Sequence, residues 1–135
     1  MQAYASDATD AAFAASNARF AQLVDWLAGD QAAGMTHAQL EERLHADGLG
    51  LLRQLLQDSL DLRASREQRL DQVVDGDGHQ RGTAEGGHQR RLATVFGDVV
   101  VSRVAYRARG RANLHPADAA LNLPAETHSH GLRRL

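Results

Sequence analysis

Apolar residues recur at helical spacing in two stretches of this chain and gather into β-branched runs in a third. Phe13, Phe20, Leu23, Val24 and Leu27 mark one face of an amphipathic helix, with Trp26 on its flank and Gly29 placed to end it as a C′ residue. Thr36, with Gln39 three residues on, has the pattern of an N-cap and its capping-box partner. A long helix is predicted from there to about Arg69 or Leu70. Leu40, Leu44, Leu51, Leu55 and Leu62 form its stripe, widened by Leu52, Leu56 and Leu60. Gly48 and Gly50 interrupt it, at a cost of about 1 kcal/mol each relative to Ala. The stripe keeps its phase across them, so a continuous helix with a local bend is expected. The polar face mixes Arg43, Arg53, Arg63, Arg66 and Arg69 with Glu41, Glu42, Asp58, Asp61 and Glu67, the pattern of a solvated, self-paired face.

The third stretch is Arg90 to Arg107. Leu92–Phe96 and Val99–Tyr106 are strand-like runs separated by Gly97-Asp98, which suits a two-residue type II′ turn. That turn would set Phe96 against Val99, Thr94 against Val101 and Leu92 against Arg103 on one side of the hairpin. Val95 would meet Val100, and Arg91 would meet Val104, on the other. Both faces are apolar near the turn, so both should be covered. At the open end Arg90, Arg91, Arg103 and Arg107 should come together. Upstream, Val73-Val74 and His79–Arg81 around Asp75-Gly76-Asp77-Gly78 read as a shorter hairpin, and the glycines from Gly82 to Gly87 as a flexible connector. The result would be an antiparallel meander of three or four strands. Asp75-x-Asp77-Gly78 lacks the later oxygen ligands of a calcium loop. At the end of the chain, Pro116 suits a helical first turn, Asp118 supports its dipole and Pro124 stops it. Ser129 reads as the N-cap of a last short helix.

Composition adjusts this picture in three ways. Only 4% of the 135 residues are aromatic, so the core should be aliphatic. Without Cys, a long apolar run or a basic-then-apolar leader, the default is a reduced, cytoplasmic protein with no membrane partner. The net charge of −2 conceals an asymmetry: residues 1–80 carry 6 Arg against 13 acids, residues 81–135 carry 9 against 4. The basic half is the candidate for an anionic partner, unless the two halves neutralise each other across an internal or dimer interface.

The motif Arg91-x-x-Thr94-x-Phe96-Gly97-x-Val99-x-Val101-x-Arg103-x-x-Tyr106 is followed by His115-Pro116-Ala117-Asp118-x-x-Leu121-x-Leu123 and by Ser129-x-Gly131-Leu132-Arg133-Arg134-Leu135. In this order the three resemble the N-terminal region of the Kra-type bacterial insertion-sequence transposases, over roughly residues 20–135. The resemblance implies a region that precedes a metal-dependent, acid-triad catalytic domain of the RNase H-like type, which this chain does not contain. In that family the stretch after the Tyr often looks like a zinc knuckle with a Cys-x-x-Cys pair; here Ala, Arg and Gly stand in its place. No thiolate is available, and His37, His45, His79, His88, His115, His128 and His130 show no paired i, i+4 spacing, so neither metal nor cofactor is expected.

The expected fold is α+β: a lead-in at 1–12 without order, a helical region at 13–71 with one long Leu-rich helix, a β-hairpin region at 72–112, and a short helical arm at 113–135 that reads as truncated. No catalytic constellation is present, so an enzyme in its own right is not expected. Two functions follow. One is DNA binding in transposition, with phosphate contacts from Arg90, Arg91, Arg103, Arg107, Arg109 and Arg111. The other is assembly, as a homo-oligomer through the Leu40–Leu62 helix, either within a transposase or as a remnant of one.

Overall fold

The computed structural model describes residues 2–68, 73–74, 78, 80–81, 83–107, 112–125 and 127–133. The chain is α+β, in the order α1 (Gln2–Ala12), α2 (Ala14–Ala28), α3 (Asp30–Ala33), α4 (His37–Arg66), β1 (Val73–Val74), β2 (Gln80–Arg81), β3 (Thr83–Thr94), β4 (Gly97–Arg107), α5 (Pro116–Ala120) and α6 (His130–Arg133). It divides into two compact units, Met1–Ser59 with Phe96–Asp98 and Leu60–Val95 with Val99–Leu135.

In the first unit the lead-in expected to lack order is the helix α1. Its sequence has little to bury, but Ala is the strongest helix former, and propensity alone supports helix where packing is not required. Phe13 joins it almost continuously to α2, its N–H bonding Thr9 O at 3.0 Å and its own carbonyl accepting from Asn17 at 2.9 Å. Gly29 ends α2 as predicted, yet in an extended conformation (φ −89°, ψ 176°) instead of a left-handed cap. Thr36 and Gln39 form the capping box: the Gln39 N–H donates to Thr36 Oγ1 (3.2 Å) and the Thr36 N–H to Gln39 Oε1 (3.0 Å). Helix α4 then runs 30 residues without a break through both glycines. At Gly50 the space that a Cβ would take lies 3.2 Å from the Arg19 guanidinium, whereas at Gly48 nothing lies within 4 Å.

Asp58 ties α2 to α4. Its Oδ2 accepts from the Ser16 hydroxyl at 2.6 Å and the Ser16 N–H at 3.0 Å, and its Oδ1 accepts from Gln54 Nε2 at 2.8 Å. Ser16 is the third residue of α2, where a backbone N–H lacks an intrahelical partner, and no side chain caps the helix locally. A carboxylate from another helix therefore serves as its cap. Burial acts to raise the Asp58 pKa, but the hydrogen bonds from the Ser16 hydroxyl, Gln54 and the Ser16 N–H, with the Arg53 charge, outweigh it and hold the carboxyl below its ordinary value.

The hairpin turn lies two residues earlier than the sequence predicts. Strand β3 ends at Thr94 and β4 opens at Gly97, leaving Val95 and Phe96 in the turn, so the pairs Phe96–Val99 and Val95–Val100 do not form. Gly97 sits at φ +118°, and a Cβ there would lie 3.3 Å from Arg53 Cδ. The glycine is thus required directly after the turn, by conformation and by close approach together. One face is well covered, with Leu92, Thr94, Val99 and Val101 buried, while Val95 remains 38% exposed.

In the second unit the strands form two separate antiparallel pairs in place of one meander. Val73 pairs with Arg81 and Val74 with Gln80; Gly78 has φ +83°, and the rest of that turn lies outside the described residues. The expected connector is largely strand, since β3 begins at Thr83 and carries Gly87 at φ +76° within it. The core is aliphatic around a single aromatic ring: Leu60, Leu92, Val99, Val101, Val104, Ala105 and Tyr106 are buried. Two later segments close on the hairpin. Leu114 exchanges backbone hydrogen bonds with Tyr106 (2.7 and 2.9 Å), and Ala93 bonds Thr127 O and the Ser129 N–H (2.7 and 2.8 Å). Ser129 caps α6 as predicted, its Oγ accepting from the Leu132 N–H at 3.1 Å. No helix among the described residues is long and apolar enough to cross a membrane.

Asp58→Ala removes the acceptor of two buried donors on Ser16 and should lower unfolding free energy by about 1–3 kcal/mol. The Asp58 contribution is present above the ordinary carboxyl pKa and is lost as pH falls through its depressed native value. Urea denaturation should therefore show the variant losing less stability than wild type on acidification below that ordinary value.

Candidate nucleic-acid interface

The basic side chains of the hairpin fall into two groups. Arg90 and Arg103 turn inward onto one carboxylate: Arg103 Nε lies 3.2 Å from Asp118 Oδ1, and Arg90 Nη1 lies 3.6 Å from Asp118 Oδ2. Their side chains are only 16% and 10% exposed. Arg90 also donates to the Pro124 carbonyl. Arg103 Nε and Asp118 Oδ1 are both buried without a well-directed hydrogen bond, so the contact is held by charge more than by direction. Asp118 was expected to support the dipole of α5, and it does stand in the first turn of that helix. Its ion pairs are what the sequence did not disclose, because no local spacing links position 118 to 90 or 103.

Arg91 and Arg107 are exposed. One residue from Arg90 along β3, Arg91 takes the opposite face, as the period of a strand requires. Arg107 Nη1 lies 2.7 Å from Glu85 Oε2, with both side chains about half exposed (56% and 44%). An ion pair this open to water is screened and adds little to stability. A phosphate could compete for such an arginine, as it could not for Arg103. The four arginines therefore do not form one cluster at the open end. Arg109 and Arg111 lie outside the described residues. A further arginine escaped notice: Arg81 is buried, donating to Tyr106 O at 3.3 Å and to the Ala112 carbonyl. Nothing in its local sequence distinguishes it from a solvated residue.

Beside this network runs a chain of hydrogen bonds. Glu85 can only accept, so His88 donates through Nε2 at 2.9 Å, and His88 Nδ1 lies 3.5 Å from His115 Nε2. The two rings lie 5.5 Å apart, tilted by 51°. The bond from His88, with the Arg107 charge, holds the Glu85 carboxyl below its ordinary range. Burial pushes the His115 imidazole down; the Arg103 charge and His88 act the same way, against Asp118 and Glu67. The neutral form of His115 is thereby favoured. Among the described residues no three His, Asp or Glu side chains are grouped to hold a metal ion. His128 and His130 instead contact Thr127 Oγ1 (3.4 Å) and the Asn122 carbonyl (3.0 Å).

Asp118 thus meets Arg103, His115 meets His88 on β3, and Gly131 lies against Val95, whose Cγ1 is 3.4 Å from the position of a Cβ there. No family model, curated protein or solved structure matches the chain.

Two outcomes are expected. Asp118→Ala leaves two covered guanidinium groups without their counter-charge and should cost about 1–3 kcal/mol, below the full figure for a deeply buried pair because Asp118 is 26% exposed. Chemical denaturation measures it. For His115, the native pKa is lowered, so as pH falls below about 6.5 the unfolded state takes up protons first and stability declines. Stability measured across that range should slope less in His115→Asn than in wild type.

Proposed function

We propose that this chain is the non-catalytic N-terminal region of a Kra-type DNA transposase and that it binds DNA through its second unit. The observation that supports this most is the mutual engagement of three motifs that stand far apart in the sequence. Arg103 from the first meets Asp118 from the second, and Ser129 from the third bonds β3 at Ala93. A resemblance spread over such distances is expected to mark one folding unit, and these residues do belong to one.

Charge supports the DNA reading. By sequence, the second unit holds 12 Arg against 8 acids, for +4, and the first holds 3 against 9, for −6. A segregation of sign on this scale favours approach of an anionic polymer to one unit. On its hairpin, Arg91 and Arg107 are exposed side chains suited to phosphate, with Arg109 and Arg111 following in sequence. Arg90 and Arg103 are positioning residues, acting through Asp118 to hold the hairpin. All of these are guanidinium groups, which can grip phosphate oxygens through two donors at once.

Fluorescence anisotropy with a labelled duplex, titrated across about 50–200 mM salt, tests the reading. Binding should weaken with a log–log slope of about −0.9 per phosphate contacted. Combining Arg107→Ala, Arg109→Ala and Arg111→Ala should flatten the slope by about 3. Glu85→Gln, which releases Arg107 from its carboxylate, should tighten binding. A full chain that shows no shift, or binding indifferent to salt, refutes the proposal.

A further inference from the structure

The first unit buries very little. Among its described residues Ala32, Ser16 and Asp58 are the buried ones, and only Ala32 is apolar. Six large apolar side chains of the same unit are conspicuously open: Phe20 (58%), Val24 (44%) and Leu27 (39%) on α2, and Leu44 (37%), Leu52 (43%) and Leu55 (39%) on α4. Two amphipathic helices that leave this much uncovered are missing a partner.

These residues share one face. Ser16 meets Asp58, whereas Trp26 lies under the Arg43 guanidinium, 4.6 Å from ring centroid to Cζ, so α2 and α4 pack antiparallel. With about 100° per residue, positions 20, 24 and 27 are turned in one rotational sense from the line of 16, 19, 23 and 26 that faces α4. Positions 44, 52 and 55 are turned in the same sense from the line of 43, 47, 54 and 58 that faces α2. Equal rotation on antiparallel helices points both stripes to the same side of the pair. The face is therefore continuous across two helices. Its positions, with Ala21, Ala28 and Gly48, hold no charge.

We infer that a second copy of this chain covers that face, forming a two-fold-related bundle of two α2–α4 pairs. Three observations select this occupant. A face with an apolar centre and acids at its edge, Glu41 on α4 and Asp25 on α2, repels a nucleic acid, while the apolar centre suits another such face. It also carries both a knob and a notch: Phe20 is its most exposed large side chain, and Gly48 opens a gap with nothing within 4 Å. The antiparallel pairing sets Phe20 at the level of residues 50–54 of α4, beside that gap. A two-fold axis parallel to the helices would bring Phe20 of each copy over the hole formed by Gly48, Leu51, Leu52 and Leu55 of the other, so one contact satisfies both copies. The size fits a weak pair. Fifteen residues of α2 span about 22 Å, and a pair of helices about 20 Å across gives a projected footprint of roughly 440 Å² per partner, the low end for a specific interface.

This inference does not rest on the DNA reading, and its test reads association alone. Sedimentation equilibrium of the full chain, at concentrations up to about 200 μM, should give twice the chain mass of 14.6 kDa. Phe20→Asp should shift the species to monomer, with far-UV circular dichroism unchanged because the side chain is exposed. Gly48→Leu should do the same for the opposite reason: it meets nothing within its own chain and strengthens the helix, but fills the notch. A monomer that is at least as helical and stable as wild type is the expected signature. Val74→Asp, an exposed apolar site in the other unit, should remain dimeric. A wild-type monomer throughout the range overturns the inference, as would a dimer indifferent to both Phe20→Asp and Gly48→Leu.

Discussion

A carboxylate removed from water must be surrounded by donors, and this requirement does in both units what a larger apolar core would otherwise do. With few aromatic residues and mostly small aliphatic ones, hydrophobic burial supplies cohesion but little direction. Asp58 supplies direction in the first unit. Its two oxygens are matched to Ser16 and Gln54, and a slide of α2 along α4 by one turn would leave a buried charge and two buried donors unsatisfied. Asp118 holds the second by charge, where two guanidinium groups converge on one side chain and anchor α5 to the hairpin. Hydrophobic contact tolerates small displacements; the Asp58 contacts do not.

The same requirement explains why the arginines of the hairpin divide as they do. A strand turns neighbouring side chains to opposite faces, so Arg90 and Arg91 cannot share a role. Arg90 is taken by Asp118 and the Pro124 carbonyl, and Arg91 is left on the exposed side. Arg103 stands within the strand, whereas Arg107 stands at its end, paired with the half-exposed Glu85. Count and sign of charge are thus poor guides to function here until the acids are placed. Of the arginines in the described part of the hairpin, Arg90 and Arg103 hold the scaffold, and Arg107 at its margin is engaged only by an ion pair open to water.

Features that depend on a few neighbouring residues were legible in the sequence. The Thr36–Gln39 capping box, the Ser129 cap, Pro116 at the start of α5 and the continuity of α4 through Gly48 and Gly50 all rest on local hydrogen bonding or on helical phase. The turn of the hairpin was legible only in part. Phe96-Gly97-Asp98 requires a glycine whether Gly97 is the first turn residue or the first strand residue after it, and its approach to Arg53 is not local. The Val73–Arg81 pairing was readable from its strand residues, but its separation from β3 was not. Asp58 with Ser16, Asp118 with Arg90 and Arg103, and His88 with His115 span 42, 28, 15 and 27 positions, and no periodicity reaches that far. In the site, exposure sorted the four described candidates; in the sequence all six had equal standing.

If the first unit pairs and the second binds DNA, as proposed, association and DNA binding would reinforce one another. The first unit is acidic and has apolar surface to cover; the second is basic and holds most of the buried apolar side chains, with Val74 and Val95 exposed. Pairing through the first unit would join two basic units into one molecule, and the second of them would reach a bound duplex as an intramolecular event, at an effective concentration fixed by the tether. Linkage then runs both ways: DNA that engages both basic units favours the paired state by the same free energy with which pairing favours DNA. A weak interface and a weak phosphate grip, each modest alone, would together give binding steep in both protein concentration and salt. No single contact in the molecule needs to be strong for that to hold.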